Sequence, residues 1–192
     1  MKPVSIIVFI GLIVLHLYGI CIADDYTFRK AKWGMSKEEV KMSEQLKVAE
    51  EDDNFLVYKT SIIGKDVFVV YFFIDKQLTR ARYVLAESHS NKNDFISDYN
   101  NFKEILIKKY GNPLKDESFW KNDLFKDDYS SWGTAISVGH LVYLSNWETK
   151  DTEITNILSG ENYDISCIIE YRSTNLKEIE KKSQEKKALE AF

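Results

Sequence analysis

The sequence predicts an α+β fold, an antiparallel sheet with helices packed on one face, in a pattern that reads as two tandem helix-plus-three-strand repeats. Three observations carry this. Apolar and polar residues alternate in runs joined by short turns, which builds antiparallel sheet rather than parallel. Helix start signals stand at two separated places, Ser36 and Asn93. Leu56-Val57-Tyr58 is echoed by Leu141-Val142-Tyr143.

A chain of 192 residues, 44% hydrophobic, can close one core of ordinary size. No Pro/Gly/Ser-rich linker divides it, so residues 24–172 read as a single domain, preceded by an export segment at 1–23 and followed by a charged helix at 173–192. Eleven Tyr, eleven Phe and four Trp against two Pro favour strands over disorder. The net charge of −4 excludes a nucleic-acid binder that works through a basic field.

Lys2, an apolar run from Val4 to Ile22 and Cys21-Ile22-Ala23 read as a signal peptide cut after Ala23. The expectation is a periplasmic or secreted protein. One rival is a retained membrane anchor, since the run is long enough to span a bilayer. Another is lipidation at Cys21. After cleavage Cys167 stands alone, with no internal disulfide to form, and its alternation with Ile165 and Ile169 reads as a buried strand position. No Asn-x-Ser/Thr sequon occurs, which favours a bacterial envelope.

The first folded element opens at Trp33-Gly34-Met35-Ser36. Ser36 with Glu39 forms a capping box, and Met35 with Val40 a hydrophobic staple, for a helix over 36–49. Glu50-Glu51-Asp52-Asp53 reads as a solvated turn. Strands follow at Asn54–Ile63, Asp66–Ile74 and Leu78–Leu85, turning at Gly64-Lys65 and Asp75-Lys76-Gln77. A second helix runs from Asp94 to Tyr110, with Phe95, Tyr99, Phe102 and Leu106 on one side and Gly111-Asn112-Pro113 as its stop. Then come a strand at Glu117–Trp120 and a hairpin turning at Gly139-His140 that sets Trp132 across from Trp147. A helical turn over Thr152–Ser159, a strand at Tyr163–Tyr171 and a charged last helix, expected to project into solvent or fray, complete the chain.

Trp33-Gly34-Met35-Ser36 with Glu39-Val40, and later Tyr110-Gly111-Asn112-Pro113 and Trp120, resemble a group of uncharacterised exported bacterial proteins with a WGMS…EV helix start and a YGxP helix stop. The layout is also similar to the helix-then-sheet modules of SmpA/OmlA-type outer-membrane assembly lipoproteins and of β-lactamase-inhibitor proteins. The resemblance covers most of residues 28–147 and rests on caps and turns. It implies a protein-binding module of the cell envelope. The lipobox of the assembly lipoproteins is not matched, because Tyr18-Gly19-Ile20 before Cys21 lacks the small residue beside the cysteine.

Chemistry-bearing motifs are sparse, and the reading assigns no catalytic residue, metal or cofactor. Ser88-His89-Ser90 invites a nucleophile and base, but adjacent residues do not supply that geometry. His140 falls in a tight turn. Asp123–Asp128 lacks the alternating oxygen ligands and the glycine of a calcium loop. The leading expectation is a non-enzymatic envelope module that binds a protein or small apolar ligand through its sheet. The alternatives are an inhibitor that plugs a secreted enzyme with the aromatic stretch Trp120–Trp132, and an unrecognised hydrolase.

The sheet-face expectation follows from register. A Gly64-Lys65 turn sets Ile62 opposite Val67, Thr60 opposite Val69, Tyr58 opposite Tyr71 and Leu56 opposite Phe73. A three-residue loop then sets Ala81 beside Tyr71 and Leu85 beside Val67. That face belongs to the core. The other carries Phe55, Phe68, Phe72, Arg80 and Arg82, the candidate binding residues, together with Val57, Lys59, Val70, Ile74, Leu78 and Val84. An apolar strip edged by cations is an interaction surface. The alternative is that the second repeat or the last helix covers it.

Overall fold

The structure is a computed structural model that describes residues 27–190; the expected export segment, its expected cleavage point and Cys21 lie outside them. Two halves follow one plan. The first is α1 (Lys37–Ser43), β1 (Val48–Asp52), β2 (Phe55–Ile62), β3 (Lys65–Ile74) and β4 (Gln77–Leu85). The second is α2 (Asp94–Tyr110), β5 (Lys115–Trp120), α3 (Trp132–Ser137), β6 (Leu141–Glu148), β7 (Thr152–Glu161) and β8 (Asp164–Ser173). A last helix, α4, spans Lys177–Glu190. The strands form one antiparallel sheet in the order β1-β2-β3-β4-β8-β7-β6-β5, which reads alike from either edge. Leu56–Tyr58 and Leu141–Tyr143 fall on β2 and β6, the second strand of each half.

Each half therefore holds four strands, not three. β1 is the strand that the sequence hides. The first helix stops at Ser43 instead of Ala49, and Val48–Asp52 pairs with β2 as an edge strand whose acidic residues face water. Charge on an edge is how sheets avoid pairing with other chains.

The second half corrects two more expectations. Thr152–Ser159 is strand and not a helical turn, and its period of two is visible in the burial of Thr152, Ile154, Asn156 and Leu158. The expected Trp132–Trp147 hairpin does not form. Trp132–Ser137 is a helix that buries Gly133, Ala135, Ile136 and Ser137. A Cβ on Gly133 would fall 2.3 Å from the Lys92 carbonyl carbon, so only glycine lets α3 close on the start of α2.

The opening motif works as a clamp. Ser36 Oγ accepts from the Glu39 N–H at 3.3 Å, and Glu39 Oε2 accepts from the Ser36 N–H at 2.8 Å. Gly34 N–H donates to the Leu78 carbonyl and Leu78 N–H to the Met35 carbonyl, at 2.9 and 2.8 Å. The half-buried Trp33 ring donates its N–H to Thr152 Oγ1 at 2.9 Å, tying this segment to the second half. Phe28 sits among Tyr71, Tyr83 and Tyr171 with centroids 5.4, 5.0 and 4.9 Å away. Arg29 holds the buried Glu44 carboxylate with both its Nε and Nη2, at 2.8 and 3.0 Å. The Tyr71 hydroxyl donates to the same carboxylate at 2.5 Å.

Helices α2 and α3 pack on the face of β7 and β8 that carries Leu158, Cys167 and Ile169, continuous with the Phe28 cluster. Tyr99, Phe102 and Leu106 of α2 are buried, as their spacing requires. Burial raises the pKa of the Cys167 thiol. Among the described residues no helix is long and apolar enough to cross a membrane.

Candidate functional site: the open face of the sheet

The strand turns decide which residues reach this face. Ile63-Gly64, not Gly64-Lys65, makes the β2–β3 turn, with φ of 45° and 78°. Thr60 then faces Val67 and Tyr58 faces Val69. This shifts the expected register by two residues, and a two-residue shift leaves every side chain on its original face. The β3–β4 turn is also shorter than expected, Asp75-Lys76 with φ of 48° and 64°. A bulge at Thr79 restores the expected pairing of Tyr71 with Ala81 and Val67 with Leu85. It also moves Leu78, expected on the open face, into the core opposite Phe73.

Across the open face, Phe55 lies opposite Phe72, Phe72 opposite Arg80, and Val70 opposite Arg82. The Arg80 and Arg82 guanidiniums sit 4.4 and 5.1 Å from the Phe72 ring centroid, within cation–π reach. Phe68 is 39% exposed, and Phe55 and Phe72 are half-buried.

β8 completes the site. Arg82 lies opposite Glu170, and Arg80 opposite Arg172. Glu170 is the hub of the cluster. Its carboxylate accepts from Arg82 Nε, accepts from Arg172 Nη2 at 3.0 Å and lies 3.9 Å from Arg80 Nη1. Arg80 is the least compensated of the three. Burial lowers its pKa, with the Arg82 and Arg172 charges adding to that and Glu170 and Glu180 opposing it, and its buried Nε has no hydrogen-bond partner among the described residues.

Helix α4 crosses one end of this face instead of projecting freely. Glu180, 7% exposed, accepts from Thr79 Oγ1 at 2.9 Å and pairs with Arg172 Nε at 3.4 Å. Lys177 pairs with Glu153 at 3.0 Å. Ser183 lines a shallow groove with Phe72, Ile74 and Arg80. The helix docks through a carboxylate, which a search for apolar spacing does not find. It covers the Arg80 end of the strip and leaves Phe68 open.

The other candidate motifs are occupied structurally. His89 Nε2 meets the buried Asp98 carboxylate at 2.6 Å, and Lys65 Nζ lies 2.9 Å from its other oxygen. Neither Ser88 nor Ser90 bonds the ring. Asp128 accepts from the Ser130 and Ser131 hydroxyls, and Asp123 pairs with Lys126. In the aromatic stretch, Trp132 packs against Trp120 and Tyr129 at 5.5 and 5.0 Å, and Phe125 stacks on His140. Leu124 and Tyr129 remain 72% and 60% exposed.

Comparison with family models, curated proteins and solved structures gives no match for this chain.

Proposed function

We propose that this chain is an exported, non-enzymatic binding module of the cell envelope, without a cofactor, that takes a protein partner on the open face of its first half. The observation that carries the reading is the arrangement of Phe68, Phe72, Arg80 and Arg82 on the face away from α2 and α3. Phe68 is 39% exposed on a strand, and two guanidiniums flank the neighbouring Phe72 ring. Aromatic side chains and arginine are the residues that dominate binding energy at protein interfaces. Neighbouring Val57 and Val70 extend the apolar strip, and such strips mark interaction sites. The second reading is an inhibitor that presents the 120–132 stretch to an enzyme cleft, favoured by the exposure of Leu124 and Tyr129.

Affinity capture from the source cell's envelope fraction tests the two together. The proposal expects a specific protein that Phe68→Asp loses and Tyr129→Ser retains. Loss with Tyr129→Ser and retention with Phe68→Asp moves the site to the loop. Retention with both variants removes both readings.

A further inference from the structure

We infer that the segment this face accepts is acidic, and that α4 is an internal occupant of the same site, displaced when that segment binds. The inference rests on the reading of the open face as the binding surface. It starts from charge. Arg80 and Arg172 lie directly opposite one another on paired strands, an arrangement that is destabilising unless carboxylates stand between them. Two do. Glu170 belongs to the sheet, whereas Glu180 belongs to α4. With α4 seated, Glu180 pairs with Arg172 while Lys177 takes up Glu153, which lies opposite Arg172 on β7. With α4 lifted, the three guanidiniums keep only the sheet's own Glu170 and Glu153, so Arg172 loses its Glu180 partner and one positive charge stays uncompensated beside the Phe72 ring.

The fastening of α4 suits a part that moves. Its side chains are mostly charged, Leu189 is 78% exposed and Ile179 is half-buried, so the apolar contact that its described residues can make with the sheet is small. Among the described residues, its hydrogen bonds and ion pairs to the sheet run from Glu180 to Thr79 and Arg172, and from Lys177 to Glu153. The bulge that makes Thr79 the extra residue of β4 turns its hydroxyl to Glu180. An incoming glutamate or aspartate beside an aromatic residue can reproduce the Glu180 contacts with Thr79 and Arg172. It can also reach the Arg80 Nε, which α4 leaves without a hydrogen bond.

The experiment uses the full chain and two fluorescein-labelled synthetic peptides, one alternating Glu with Phe and the other Lys with Phe, read by anisotropy. The acidic peptide should bind and the basic one should not. Glu180→Gln should tighten the acidic peptide about tenfold by weakening the competitor, and Thr79→Val should act in the same direction without a change of charge. Adding Arg80→Gln and Arg172→Gln to the Glu180→Gln chain should reverse that gain. Bound peptide should speed hydrogen exchange in α4 while protection in α2 stays constant, a control for folding. Equal binding of the two peptides, or an affinity unmoved by both Glu180→Gln and Thr79→Val, overturns the inference. Such a result leaves the binding-face reading intact if Phe68→Asp still loses the captured protein. Retention of that protein by Phe68→Asp brings down both.

Discussion

Replacing Glu170 by Gln tests whether the arginine cluster is an energetic unit. The side chain keeps its size and loses its charge, leaving Arg80, Arg82 and Arg172 to repel one another across β4 and β8. Coulomb energy between unit charges about 4 Å apart is roughly 4 kcal/mol at an effective dielectric near 20. Solvent reduces it here, because the arginines are 25%, 30% and 36% exposed and Glu170 is 17% exposed. Exposed pairs contribute about 0.2–1 kcal/mol, and breaking a fully buried pair costs about 3–5 kcal/mol. A hub between these limits should be worth about 2 kcal/mol, which for a domain of this size lowers Tm by about 4–8 °C. The assay is thermal unfolding followed by circular dichroism, at low and at high salt. The gap between Glu170→Gln and the unaltered chain should narrow as salt screens the repulsion left in the variant. Melting of the variant within about 1 °C of the unaltered chain, at both salt concentrations, refutes the reasoning by the same conversion.

Three further outcomes follow from the same structure. Ser36→Ala removes one half of the capping box and should cost about 0.5–2 kcal/mol, read by denaturant midpoint. Gly133→Ala places a methyl against the Lys92 backbone at 2.3 Å and should cost at least about 1–3 kcal/mol of overpacking; an unchanged Tm would mean that α3 and α2 separate freely. Alkali should unfold the protein. Burial raises the pKa values of Cys167, Tyr83, Tyr99 and Tyr171, and burial with the Glu44 bond raises that of Tyr71. The folded state therefore holds protons that the unfolded state releases above about pH 8.5–10, and stability falls as pH rises through that range. Ultraviolet titration checks this: ionisation of these tyrosines should coincide with loss of structure.

What the sequence made legible was local. The Ser36–Glu39 box, the Gly111 stop of α2 and the alternation in β2 to β4 each rest on residues a few positions apart. The two misplaced turns did little harm, since the register error at Ile63-Gly64 was even and the shorter turn at Asp75-Lys76 was offset by the Thr79 bulge. The bulge itself had no sequence signal, and it carried Leu78 to the other face. β1 escaped because its acidic run resembles a turn, and β7 because Ile154, Ile157 and Leu158 stand at helical spacing. The site was half visible. Phe68, Phe72, Arg80 and Arg82 come from one hairpin, whereas Glu170 and Arg172 join them only because β4 pairs with β8. The Arg82–Glu170 bond spans 88 residues of chain, a separation at which spacing says nothing. Glu180 was missed for another reason, since a helix that docks through one carboxylate leaves no apolar stripe.

The central claim is that partners meet this protein on the open face of β2 to β4. A photo-crosslinking phenylalanine analogue, placed singly at Phe68, Ile105 or Tyr129 of the full chain in the living source cell, tests it most directly. These positions report the open face, the exposed side of α2 and the aromatic loop. The account predicts a discrete protein adduct from position 68 and none from 105 or 129. Adducts from 105 or 129 with none from 68 would contradict it.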